Sequence, residues 1–127
     1  MTKIKGKIIK GHGEANKTLK MQWPYFETYL PDLESYYQGT LNIDLKNTLP
    51  KYFAEIITNP IEWDTRQNPI PTEIFKFKKI TFEINNTKIS ALIYEASNSP
   101  HNSNPKTIEI IAPKIKAQNG DICYISL

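Results

Sequence analysis

Two long alternating runs separated by Asn85-Asn86 leave this chain few ways to fold. Residues 73–84 set Phe75, Phe77, Ile80, Phe82 and Ile84 among charged and polar neighbours, the two-residue rhythm of a half-buried strand. The rhythm slips once, at Lys78-Lys79, and an irregularity is expected there. Asparagine tolerates the positive φ of a tight turn, so residues 87–96 should return as the antiparallel partner through Ile89, Ala91 and Ile93.

Other segments add strands to this hairpin. Residues 3–10 form a lysine-flanked run with Ile4, Ile8 and Ile9 as its apolar positions. Gly39 turns the chain into Thr40-Leu41-Asn42-Ile43-Asp44-Leu45, where Leu41, Ile43 and Leu45 share one face and Thr40 and Asn42 the other. Residues 107–113 read as a buried strand containing Glu109, and Asn119-Gly120-Asp121 turns into a last strand over 122–127. A short helix is expected over 23–31, with Pro24 in its first turn, Pro31 ending it, and Tyr25, Phe26, Tyr29 and Leu30 as its docking face. Residues 46–71 carry four prolines and no clear period. A long connection with little regular structure is expected, and segments of that kind often cover a site, so Trp63 and its neighbours are candidates for a lid as much as for a surface insertion. Residues 97–106 read as a polar loop. Strands dominate, with one short helix, and a small β-barrel is the economical closure because it removes exposed edges.

A chain of 127 residues suits a single domain over 1–127 with a real core. No apolar run is long enough for a membrane span, so no membrane partner is expected. The basic N-terminus lacks the apolar segment of a secretory signal, which makes the cytoplasm the expected location. The single Cys123 excludes an intramolecular disulfide and a zinc site built from cysteines. The net charge of +3 comes from lysines dispersed among carboxylates, and Arg66 is the one arginine. A nucleic-acid-binding barrel would gather its lysines and arginines on one face, so no nucleic-acid partner is expected. A small anionic ligand such as a nucleotide remains compatible with the charge.

Three places carry candidate chemistry. Thr40 and Asn42 at i and i+2 offer neutral oxygen ligands of the kind Mg²⁺ accepts when substrate phosphates supply most of the charge; each is also ordinary at the start of a strand. Gly11-His12-Gly13-Glu14-Ala15 is a tight turn whose amides can cradle an anion, or a plain glycine-rich hairpin. Glu109 is a carboxylate inside an otherwise apolar strand.

Taken in order, Gly11-His12-Gly13-Glu14-Ala15, Gly39-Thr40-Leu41-Asn42-Ile43, Ile108-Glu109-Ile110-Ile111-Ala112-Pro113 and Asn119-Gly120-Asp121 resemble the archaeal-type CTP-dependent riboflavin kinases over about Gly6 to Leu127, with a poor match across 46–71. The resemblance implies a six-stranded cradle-loop β-barrel that transfers the γ-phosphate of CTP to the 5′-hydroxyl of riboflavin, giving FMN and CDP, as a monomer using Mg²⁺. By position, Thr40 and Asn42 match the Mg²⁺ ligands. Gly11, His12, Gly13, Glu14, Ala15, Asn16 and Lys17 match the nucleotide-binding turn. Glu109 matches a catalytic, flavin-contacting glutamate beside the acceptor hydroxyl. Lys114, Ile115, Lys116 and Ala117 fall on a second nucleotide-binding segment.

Two segments depart from the pattern. Where the family places a threonine and a histidine as flavin contacts, this chain has Ser99-Pro100-His101-Asn102-Ser103. After Pro113 it is shorter by roughly one helical turn, about 3.6 residues. An arginine expected there is missing, and Lys116 as a point charge cannot make the same bidentate contact. A kinase for another small hydroxyl-bearing acceptor and a non-catalytic cytidine-nucleotide-binding barrel are the alternative readings.

Overall fold

The computed structural model describes residues 3–10, 17–49, 52–98 and 106–127. In chain order its elements are β1 (Lys3–Lys10), α1 (Lys17–Phe26), a 3-10 turn (Leu33–Ser35), β2 (Thr40–Leu45), β3 (Ile56–Ile57), β4 (Phe75–Ile84), β5 (Thr87–Ala96), β6 (Thr107–Ile111) and β7 (Ile122–Ser126). The hairpin is as the sequence requires. Asn85 and Asn86 take φ of 50° and 62°, and β4 and β5 pair without a break from Ile84–Thr87 to Phe75–Ala96. Two successive positive φ values give a turn whose twist matches that of the strands it joins.

Every pairing is antiparallel, in the order β3-β4-β5-β6-β2-β1-β7. The last strand returns to β4, from Thr81–Ser126 to Ile84–Cys123, so six strands form a ring. The other half of that β4 edge, at Lys76 and Phe77, is taken by β3, which stands outside the ring.

The ring strands alternate faithfully. Ile4 and Ile8 of β1, Leu41, Ile43 and Leu45 of β2, Ile80, Phe82 and Ile84 of β4, Ala91 and Ile93 of β5, Ile110 of β6, and Cys123 and Ile125 of β7 meet in one inner core. Gly6 makes this packing possible, since a Cβ there would lie 2.6 Å from Ile43 Cγ2. Ile9 does not join the core. The β1–β2 register shifts between Ile8 and Lys10, and the extra residue is left partly exposed.

A second core lies on the outer face. Phe75 and Phe77 of β4, Leu92, Tyr94 and Ala96 of β5, and Ile111 of β6 pack against Leu19, Trp23 and Phe26 of α1, with Leu30, Leu33, Ile61 and Trp63. This explains the slip at Lys78-Lys79, where no irregularity in the hairpin pairing occurs. The strand changes which face it buries: Phe75 and Phe77 point outward under the helix, and Ile80, Phe82 and Ile84 point into the ring. Ile80 is three positions beyond Phe77, an odd step in a period of two.

The helix differs from expectation. It begins at Lys17 rather than at Trp23 and ends at Phe26 rather than near Pro31, so Pro24 is inside it. A proline there removes the bond to the carbonyl four residues earlier, that of Lys20, and both residues lie on the exposed side where water can solvate the freed group. The buried stripe is Leu19, Gln22, Trp23 and Phe26, the i, i+3, i+4, i+7 pattern, with a polar residue in it. After Phe26, turns bring Leu30 and Leu33 into the same core.

The connection over 46–71 has little regular structure, as expected, but it is firmly attached where described. Glu55 N–H donates to the Phe77 carbonyl, Thr58 N–H to the Phe75 carbonyl, and Ile61 and Glu73 exchange bonds in both directions. Glu55 Oε1 accepts Lys79 N–H at 2.8 Å and pairs with Lys78 Nζ, and Thr58 Oγ1 accepts Phe75 N–H. Trp63 is buried in the outer core, its Nε1 donating to Glu73 Oε1 at 2.8 Å.

Candidate functional site

The position of β2 between β1 and β6 decides what the site contains. Its apolar residues Leu41, Ile43 and Leu45 fill the ring, so Thr40 and Asn42 are turned to the outer face. In the β2–β6 register Asn42 stands opposite Glu109 and Thr40 opposite Ile111. In the β5–β6 register Glu109 stands opposite Tyr94. Directly opposed residues share a face, so Asn42, Glu109 and Tyr94 form one row across three strands, with Thr40 one step along.

The Thr40 hydroxyl donates to Glu109 Oε1 at 3.2 Å across 69 residues of chain. Thr40 is buried; Asn42 and Glu109 are half-buried. Tyr94 is buried and its phenol donates to Gln22 Oε1 of α1 at 2.6 Å. Burial, then the charges of Glu109 and Glu73, raise the Tyr94 phenol well above its ordinary range and keep it a neutral donor. The expected Mg²⁺ pair and the expected acceptor carboxylate are therefore neighbours, joined by a hydrogen bond.

These donors fit a Mg²⁺ ion. Thr40 gives its proton to Glu109 and keeps oxygen lone pairs, and the Asn42 side chain meets no other hydrogen-bond partner among the described residues. Both are hard oxygen ligands, and Glu109 adds one negative charge beside them. Among the described residues no group of three or more His, Cys, Asp and Glu gathers to hold a metal, so such an ion would depend on waters and substrate phosphates for most of its coordination.

The nucleotide-binding positions are less visible. Gly11, His12, Gly13, Glu14, Ala15 and Asn16 lie outside the described residues, as does the 99–103 segment. Their flanks are placed: Lys10 pairs opposite Asn42, and Lys17 is the exposed first residue of α1. In the second segment Lys114 and Lys116 are exposed, while Ile115 and Ala117 pack on the inner core. The Ile115 side chain is thus a core group, leaving only its backbone for a ligand. Lys114 Nζ lies 5.1 Å from the centroid of the Tyr37 ring, a cation–π arrangement.

A concavity of about 390 Å³ is lined by Asp32, Glu34, Ser35, Tyr36, Ile89, Ser90 and Pro113 and includes none of the expected site residues. Ser90 and Pro113 lie two residues beyond the Leu92–Ile111 pair that neighbours Thr40.

Gln22 and Tyr94 were not singled out in the sequence. The available signal was the run Ala91-Leu92-Ile93-Tyr94, apolar at both parities, which marks a strand covered on both faces. Gln22 carried no comparable signal. The chain matches no protein-family model, and no curated protein matches it.

Proposed function

We propose that the chain is a CTP-dependent riboflavin kinase, its ring of strands a six-stranded cradle-loop barrel and its site the outer face around Thr40, Asn42 and Glu109. One observation carries this reading: two separate sequence motifs are brought together by the β2–β6 pairing, with Thr40 bonded to Glu109 and Asn42 opposite it. Phosphoryl transfer asks little covalent work of a protein beyond positioning and charge stabilisation. A bound Mg²⁺ held by Thr40 and Asn42 would neutralise phosphate charge.

Glu109 stands beside those two residues, suited to orient the 5′-hydroxyl of riboflavin and take its proton. The hydroxyl oxygen then bonds to the γ-phosphorus as the bond to the β–γ bridging oxygen breaks, releasing CDP. Thr40 steadies Glu109 by donating to one carboxylate oxygen, which leaves Oε2 for the acceptor. Lys10, which precedes the 11–16 segment, pairs opposite Asn42, and this suits a nucleotide whose phosphates reach Thr40 and Asn42.

The test is FMN formation from riboflavin and Mg²⁺ with CTP or ATP supplied separately and products resolved by chromatography. CTP-dependent FMN that disappears in Thr40→Ala supports the assignment. Absence of FMN with either nucleotide while CTP still binds would turn the reading to another acceptor or to a cytidine-nucleotide binder; absence of both refutes it.

A further inference from the structure

Gln22 is the one polar residue in the buried stripe of α1, only 2% exposed, and its amide is half used. One polar atom bonds the Tyr94 hydroxyl at 2.6 Å. The other, Nε2, meets no hydrogen-bond partner among the described residues. A buried polar atom without a partner is costly, and an apolar residue would serve helix packing better at this position. The phenol that holds Gln22 sits opposite Glu109 on the neighbouring strand and feels its charge. Through Tyr94 the buried amide stands one hydrogen bond away from the polar row that also contains Glu109 and Asn42.

We propose that Gln22 is an acceptor-binding residue of this site: fixed by Tyr94, its amide hydrogen-bonds the edge of a planar, amide-bearing ring whose hydroxylated tail reaches Glu109. The inference rests on the kinase reading and adds the helix α1 to the acceptor side of the site. With Oε1 accepting from Tyr94, the remaining Nε2–H groups are donors, which match a carbonyl on the dione edge of a flavin. Tyr94 acts through Gln22 as a positioning residue, since its phenol restricts the amide to one place before the ligand arrives.

The experiment is a fluorescence titration of riboflavin against the native chain, Gln22→Met and Tyr94→Phe, with CTP affinity measured calorimetrically and the urea midpoint recorded for each. Gln22→Met keeps an unbranched side chain of similar length and removes both polar atoms. It is expected to weaken riboflavin binding about tenfold, the scale of one lost hydrogen bond, and to leave CTP affinity unchanged. Tyr94→Phe keeps the buried ring and is expected to weaken riboflavin by a smaller factor in the same direction. Riboflavin affinity within twofold of native in Gln22→Met overturns the inference, as does a parallel loss of CTP affinity, which would mark Gln22 as merely structural. If Gln22→Met does not fold, unchanged riboflavin affinity in Tyr94→Phe overturns it instead. A native chain that binds CTP but no riboflavin removes the acceptor assignment and the inference together, a result distinct from loss in the variants alone.

Discussion

Phe26 closes the outer core, and Phe26→Ala should separate that layer from the ring energetically. The side chain is fully buried, with its ring edge-on to Phe75 and Phe77 at centroid distances of 4.9 and 5.1 Å and 6.3 Å from Tyr94. Truncating such a phenylalanine costs about 3–5 kcal/mol, and the well-oriented ring pairs place this site toward the upper half of that range. Against a total of about 5–15 kcal/mol for a domain this size, that is a large fraction. With an m of about 2 kcal/mol per M in urea, a loss of about 4 kcal/mol lowers the midpoint by about 2 M. The two tryptophans, Trp23 and Trp63, both lie in the outer core, so their fluorescence reports that layer, whereas far-UV circular dichroism is dominated by the strands. A helix of ten residues does not persist undocked in water, so α1 should melt as it detaches. The expected result is a fluorescence midpoint lowered by about 2 M. A shift below about 0.5 M with m unchanged would show that the packing around Phe26 carries little of the outer layer's stability and refute the reasoning.

Three further outcomes follow from named contacts. On the proposed kinase reading, Glu109→Gln should reduce turnover by about 10²–10⁴, the range of general-base catalysis, and spare CTP affinity; equal turnover in the variant would remove Glu109 from the chemistry. Gly6→Ala drives a methyl to 2.6 Å from Ile43 Cγ2 inside the ring and should cost about 1–3 kcal/mol, read as a lowered melting temperature; an unchanged melt would mean that Ile43 moves freely. The Asp64 carboxyl is held below its ordinary 3.8 by hydrogen bonds from Arg66 and then Gln67. A lowered folded-state value gives stability that is full above pH 3.8 and lost as pH falls through the folded value, so the melting-temperature gap between native protein and Asp64→Asn should hold at pH 5–7 and close below pH 3.8.

Local chemistry made most of the strands legible. The hairpin turn could be placed to the residue because Asn85-Asn86 supplies two positive φ values between the alternating runs, while the first strand starts at Phe75 rather than at Glu73. Strands β1, β2 and β7 follow from their alternation for the same reason: each buries one face in the ring. The helix was displaced because Pro24 was read as a first-turn proline, and its actual tolerance depends on solvent at Lys20, which periodicity does not reveal. The slip at Lys78-Lys79 looked local but arises from tertiary structure, since only a second core outside the ring makes an odd step favourable. The candidate site was named from the sequence as separate residues and not as a place. Nothing within Thr40 to Leu45 says that β6 lies beside it, and the Thr40–Glu109 bond exists only through that pairing. Gln22 escaped notice because a lone polar residue in a polar stretch gains meaning only when its helix docks.

The short β3 has a consequence for how the protein behaves in a crowded solution. A closed ring has no free strand edges, but β7 covers only residues 81–84 of β4, and the remainder of that edge would offer unpaired backbone groups to any passing extended chain. The 55–61 stretch occupies it, with two ladder residues, the Glu55 carboxylate on Lys79 N–H and the Thr58 hydroxyl on Phe75 N–H. What it presents outward in turn is a strand of only two residues beside charged side chains, too short to template another. The 55–61 stretch thus closes an otherwise open strand edge, and deleting it should reveal itself in concentration-dependent self-association.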